Sequence, residues 1–198
     1  MKLLKLSGIT FIAFLCFAAC TSTFAAEEGV DVVALKAAFA KLKRNSDYDL
    51  INSSLDKIRN GGMMSVKVLV NHLNDDAEAS DYFVDGRHYN NKGDAVERSK
   101  WRYPKMGEVA FDLVQEIVEG RAPLEYRRYF VLTPENAKRW VDKHDQKSLL
   151  EVQIEATIQS LKSVESDRDG SEQKLLDEIS KFFEKRLVDL RAKMESKD

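Results

Sequence analysis

Apolar positions in this chain recur at helical spacing through most of its length. Val30 to Lys43 reads as a helix, with Val30, Val33, Ala34, Ala37 and Leu42 near one stripe. Asn45-Ser46-Asp47 supplies a cap for a second helix, which runs to Arg59 and carries Leu50, Ile51, Leu55 and Ile58 at helical spacing. Asn60-Gly61-Gly62 ends that helix, because glycine accepts the left-handed backbone that follows a helix. A third helix, Met63 to Leu73, turns Val66, Leu69 and Leu73 inward. So short a turn makes the second and third helices pack antiparallel.

The downstream pattern is also helical. Thr133-Pro134-Glu135 predicts a helix start, with threonine as cap and proline in the first turn, and Ala137, Trp140 and Val141 face inward. Ser148-Leu149-Leu150-Glu151 is a capping box opening a helix to about Val164. Ser163 to Ser171, with Asp167-Arg168-Asp169-Gly170, breaks the pattern. The last helix runs from Ser171 to about Met194, with Leu176, Ile179, Phe183, Leu187, Leu190 and Met194 stepping by three and four. That seam covers about three heptads, a length that fits a helix packed on its own domain better than a free coiled coil.

One stretch, 74–105, interrupts this rhythm. It is rich in Asp, Asn, Arg and Tyr and carries Tyr82, Phe83, Tyr89, Trp101 and Tyr103. Asp81-Tyr82-Phe83-Val84, then Asp85-Gly86, then Arg87-His88-Tyr89-Asn90 predict a small hairpin, since Asp-Gly is a favoured two-residue turn. A polar insertion of this length inside a compact domain is usually functional or disordered. Its aromatic content argues against plain disorder.

The third helix carries a resemblance. Gly62-Met63-Met64-Ser65-Val66-Lys67-Val68-Leu69-Val70-Asn71-His72-Leu73-Asn74-Asp75 resembles the second helix of a HEAT-type repeat. Ser65, Val66, Leu69, Leu73 and Asp75 fall on the family's small, valine, leucine, leucine and acidic places, while Lys67 stands where proline is common. Met106 to Ile117, closed by Gly120, reads as the matching helix of a second unit. Two units fall short of the three or so that a free-standing solenoid needs. The resemblance therefore implies helix pairs whose core the C-terminal helices complete.

The N-terminus changes the compartment. Met1-Lys2-Leu3-Leu4-Lys5 leads into an apolar run from Leu6 to Ala19 and a small-residue exit, Thr23-Phe24-Ala25. This is the layout of a bacterial-type secretory signal peptide, and the run is shorter than the roughly 20 residues of a membrane span. Two cleavage readings compete. One cuts after Ala25 and removes residues 1–25. The other follows from Phe17-Ala18-Ala19-Cys20, which resembles a lipoprotein lipobox, with Phe17 and Cys16 departing from the usual pattern. There Cys20 is lipidated and tethers the chain to a membrane leaflet. Both cysteines lie in this leader, so the remaining chain has no disulfide, thiolate nucleophile or cysteine metal site. Without Lys2 and Lys5 the net charge is −4, and the charges are interspersed, which argues against a nucleic-acid footprint.

Candidate chemistry is sparse. His72, His88 and His144 stand at no metal-ligand spacing, and no HExxH, GxSxG, P-loop or dinucleotide glycine motif occurs. Glu108 and Asp112, one helical turn apart, hint at acid–base work in a wall-cleaving glycosidase, although such pairs ordinarily form a solvated face. Asp75-Asp76 with Glu78 and Asp81 hints at calcium but lacks the alternation of an EF-hand loop. Arg127-Arg128 beside Tyr126, Tyr129 and Phe130 offers hot-spot residue types, or else an aromatic packing stretch with outward arginines.

The sequence thus predicts an all-α fold of antiparallel helix pairs. Its parts are a signal at 1–25 or one cut before Cys20, a helical domain at 26–165 with the insertion at 74–105, and a C-terminal amphipathic helix at 171–198. The expected function is protein binding in the bacterial envelope, periplasmic, secreted or lipid-anchored, with no cofactor, no metal and no chemistry of its own. Tyr82, His88, Tyr89, Trp101, Arg127 and Arg128 are the expected partner contacts. The rival expectations are a carboxylate-based cell-wall enzyme and a passive structural lipoprotein.

Overall fold

The computed structural model describes residues 31–44, 46–83, 103–167 and 173–196, and these form an all-α fold. In chain order the helices are α1 (Val32–Ala40), α2 (Tyr48–Asn60), α3 (Gly62–Leu69), α4 (Met106–Glu119), α5 (Ala137–Lys143), α6 (Leu149–Ser166) and α7 (Gln173–Glu195). Short 3-10 turns occupy Val70–His72, Asp81–Phe83 and Leu124–Tyr129. Extended pairing among the described residues is limited to two isolated bridges, Lys43 with Ala79 and Glu78 with Lys105. No helix among them is long and apolar enough to cross a membrane.

Local chemistry starts and stops these helices where orphan backbone groups need partners. Asp47 Oδ1 accepts the N–H groups of Asp49 at 2.9 Å and Leu50 at 3.3 Å, which opens α2. The predicted box opens α6: Ser148 N–H donates to Glu151 Oε2 at 2.8 Å, and Glu151 N–H returns to Ser148 Oγ at 3.3 Å. A single residue, Gly61, separates α2 from α3, and Gly62 takes a φ of 58° to make so tight a corner.

Packing then assembles two apolar clusters. α1, α2 and α3 pack on one another, α3 also on α4 and α5, and α4 on α6. Their shared core runs from Phe39, Leu55, Val66 and Leu69 through Leu113 to Val152 and Ala156 on α6. A second cluster sits at the other end of α6, where Val164 meets Leu176, Ile179 and Phe183 of α7 under Tyr129 and Phe130. The α6–α7 pairing is the most extensive in the fold.

The structure corrects several expectations. The inward stripe of α1 is Leu35, Ala38 and Phe39, with Leu42 beyond its end, while Val33 is 74% exposed, Ala37 is also exposed and Val30 lies outside the described residues. α1 is apolar almost all round, so spacing alone did not choose a face; the larger Leu35 and Phe39 take the core positions. Leu50 is exposed and Leu73 only half-buried. α5 begins at Ala137 rather than at Pro134, because Asn136 Oδ1 accepts the Thr133 N–H at 2.9 Å and closes a separate turn first. Asp81–Phe83, expected as the first arm of a hairpin, is a 3-10 turn. Ser80 drives it: its carbonyl accepts Phe83 N–H at 3.1 Å and its hydroxyl accepts Tyr82 N–H at 3.3 Å. The rest of the expected hairpin, Val84 to Asn90, lies outside the described residues, as do residues 1–25 with Cys20.

Burial predicts how substitutions rank. Leu69→Ala should cost about 2–5 kcal/mol in urea denaturation, whereas Leu124→Ala, at a side chain 69% exposed, should change little. Ser65 is the informative middle case. Its Oγ is buried without a hydrogen-bond partner among the described residues, so Ser65→Ala should be neutral or stabilising. A clear loss of stability in Ser65→Ala would show that the hydroxyl has a partner.

Candidate functional site

The insertion leaves the helical core from a base tied by backbone hydrogen bonds. Ala79 N–H donates to Pro104 O at 2.8 Å and Met106 N–H to Ala77 O at 2.8 Å, which joins the outgoing and returning arms. Ser80 N–H donates to Leu42 O at 2.9 Å and Arg44 N–H to Glu78 O at 3.1 Å, which joins the outgoing arm to the α1–α2 connection. Ala79 is fully buried between them.

On this base sits an aromatic shelf. Tyr48, 53% exposed at the start of α2, meets Tyr82 edge-on at 5.9 Å, and Tyr82 meets Phe83 edge-on at 5.2 Å. Tyr82 is half-buried, and its hydroxyl donates to Asn52 Oδ1 at 2.8 Å. Arg44 lies over the Tyr103 ring, 4.2 Å from its centroid, and its Nη1 is 2.6 Å from Glu78 Oε2. That hydrogen bond to Glu78 raises the Arg44 pKa. Both ends of the pair are about half exposed, so its contribution to stability is small and its effect is to fix the guanidinium on the ring.

Of the residues singled out in the sequence, Tyr82 belongs to this shelf. His88, Tyr89 and Trp101 lie outside the described residues. Arg127 and Arg128 sit elsewhere, on the Leu124–Tyr129 turn that covers the second apolar cluster. Tyr126 packs on Phe182 at 5.4 Å and Phe130 on Phe183 at 6.1 Å. The two arginines are exposed; Arg127 Nε donates to Ala122 O at 3.3 Å, and Arg128 lies over the Tyr129 ring at 4.9 Å. The stretch is therefore an aromatic seal with outward arginines.

A cleft opens beside the arms of the insertion. About 300 Å³ is lined by Leu73, Asn74, Gly107, Glu108, Phe111, Asp112 and Pro134. It adjoins a more open hollow of about 360 Å³ that adds Asp75, Asp76 and Lys105. Gly107 permits this geometry, because a Cβ there would lie 2.2 Å from the Leu73 carbonyl oxygen. Two of the carboxylates are engaged with backbone. Asp75 Oδ1 accepts Ala77 N–H at 3.0 Å, and Glu108 Oε2 accepts Lys105 N–H at 2.7 Å at the start of α4. Among the described residues no group of three or more His, Cys, Asp or Glu is placed to hold a metal ion.

Two buried ionisable centres escaped the sequence reading. Glu119, at the end of α4, accepts the N–H groups of Val131 and Leu132, and burial pushes its carboxyl up to about 8 against those hydrogen bonds. The one hint in the sequence was a carboxylate in the last turn of a helix, where the dipole disfavours it. His144, buried at the end of α5, places Nδ1 2.6 Å from Trp140 O and Nε2 2.9 Å from Glu155 Oε1, with the Trp140 ring stacked at 4.0 Å. Lys147 and His144 together hold Glu155 at about 2. Only the α5–α6 turn brings those residues together, so spacing gave no signal.

These two glutamates predict opposite limbs of a stability profile. Glu119 titrates near 4.5 when unfolded and about 8 when folded. Its contribution is fully present below about 4.5 and is lost as pH rises through 8. Glu155 titrates near 4.5 unfolded and about 2 folded, so its contribution is present above 4.5 and is lost as pH falls through 2. Melting temperature against pH should fall on both sides. Glu119→Gln should flatten the alkaline limb and Glu155→Gln the acid limb. Profiles parallel to that of the parent protein would refute these assignments.

In comparisons with known proteins, no family model, no curated protein and no solved structure matches this chain.

Proposed function

We propose that the protein is an exported helical module of HEAT-like build that binds a protein partner in the bacterial envelope through the base of its insertion, without chemistry of its own. The observation that carries this reading is the shelf of Tyr48, Tyr82 and Phe83 beside Arg44 stacked on Tyr103. Tyrosine and arginine dominate interface hot spots, because they bring large contact area together with a polar handle. Here their side chains are already held by neighbours, by Asn52 for Tyr82 and by Glu78 for Arg44. Preordered side chains lose little entropy on binding. The backbone ties of the insertion base keep the shelf in one geometry.

Two carboxylates of the cleft, Glu108 and Asp75, are committed to backbone, which favours binding over acid–base catalysis. A wall-cleaving glycosidase needs two carboxyl groups poised across the scissile bond. Glu108 instead supports the first turn of α4, and Asp75 supports its own loop.

Incorporating a photo-crosslinking residue at Asp49, exposed beside Tyr48 in the first turn of α2, tests the reading, with the full chain expressed in a bacterial host. It should trap a discrete envelope protein. Tyr48→Ala with Arg44→Ala should weaken affinity for that protein about thirtyfold or more, the loss of one or two hot-spot contacts, without lowering the melting temperature. Val188→Ala, exposed on α7, should leave the affinity unchanged. Unaltered affinity in the Tyr48/Arg44 variant would remove the shelf from the interface, and release of muropeptides from cell walls would establish the enzyme instead.

A further inference from the structure

α1 and α3 are the two helices of this fold with little polar surface. Each carries one charged residue, Lys36 in α1 and Lys67 in α3. A helix that is apolar all round belongs in a core or against a membrane. α3 satisfies that rule, since α1, α2, α4 and α5 all pack on it. α1 does not. It packs principally on α2 and α3, and it leaves Val33, Ala37 and Ala40, which step by four and three residues along one face, exposed to solvent.

The rim of this face is basic. Lys36 and Lys41 flank it, and Lys43 follows. Among the described residues no carboxylate forms an ion pair with any of the three, whereas the neighbouring Arg44 is matched by Glu78. Segment 31–44 holds Lys36, Lys41, Lys43 and Arg44 against Asp31, in a chain whose overall charge is −2. An apolar stripe between lysines is the pattern of a helix lying in a lipid headgroup region. A second copy of α1 on the same face would set Lys36 and Lys41 against the same lysines.

We propose that the outer face of α1, formed by Val33, Ala37 and Ala40 between Lys36 and Lys41, rests on an anionic lipid surface. At nine residues the helix is about 14 Å long, too short to span, so it lies in the plane of the interface. The inference takes export as given but does not depend on the aromatic shelf or on any protein partner.

Vesicle flotation tests it. The full chain is exported from a bacterial host in a Cys20→Ser background, so that no acyl chain contributes, and the processed product is purified. It is floated with vesicles of phosphatidylcholine alone and of phosphatidylcholine mixed with phosphatidylglycerol. The protein should float with the anionic vesicles only, and added salt should release it. Lys36→Gln with Lys41→Gln should weaken that partition about thirtyfold, and Val33→Asp should abolish it. Both variants change exposed side chains, so circular dichroism and melting should match those of the parent. Failure to float with anionic vesicles overturns the proposal, as does flotation that ignores lipid charge or survives both variants. A self-associated species in sedimentation that Val33→Asp dissolves, without flotation, would assign the face to a second copy and equally overturn it.

Discussion

The burial of α3 is the constraint on which the remaining structure depends. Its eight residues are almost wholly apolar and cannot be left in water, so four other helices close around them. Gly61 and Gly62 set the corner that brings α3 back along α2, and a Cβ on Gly61 would lie 2.2 Å from Ser65 Oγ and 2.9 Å from a Leu35 methyl. The Val70–His72 turn carries the chain on to Leu73, whose carbonyl approaches Gly107 closely enough to exclude a side chain. The start of α4 is thereby fixed against the end of α3. The two arms of the insertion meet where those elements touch.

The geometry of the aromatic shelf follows from that junction. The insertion is held at its root by main-chain bonds to Leu42, Arg44 and Met106 and by the Ala79–Pro104 bond between its own arms, so the aromatic residues beside it share one frame with the core. The far end of the molecule is organised differently. The Arg186 guanidinium donates to Val118 O at 3.1 Å and to Thr157 Oγ1 at 3.3 Å, which links α7 to α4 and α6. Gly120, with φ 81°, leaves the space that this guanidinium fills. Glu119 beside it caps the segment entering the turn before α5. Burial lowers the pKa of Arg186 while the charge of Glu119 opposes the shift, so the two ionisable groups are tuned against each other inside one polar seam.

Particular residues show how far the amino-acid pattern reaches. Asp47 and the Ser148–Glu151 box cap helices as their identities require, because capping is settled within four residues. Leu176, Ile179, Phe183 and Leu190 are buried as their spacing implies, because the opposite face of α7 is charged, whereas Leu187 is only half-buried and Met194, in the last turn, is exposed. α1 offered no such contrast, and its inward face was misread at Val33. The turn at Asp81–Phe83 was misread because Ser80 acts on the backbone locally and Asn52, thirty residues earlier, holds the Tyr82 hydroxyl. Tyr48 and Arg44 were not singled out at all, since nothing in their own segments marks them as neighbours of the insertion.

The sequence by itself determined the all-α class, most helix starts and stops, and the inward faces of the helices with a charged opposite side. Those properties follow from local backbone chemistry and from the 3.6-residue period. Tertiary structure alone decided which face of α1 is covered, which aromatic residues share the shelf, and which glutamates lie in low-dielectric surroundings. Tyr48 with Tyr82, Arg44 with Tyr103, His144 with Glu155 and Glu119 with Leu132 are each joined across a turn or between separate elements. Such pairings are set by how apolar surfaces close on one another, and no local pattern encodes that closure.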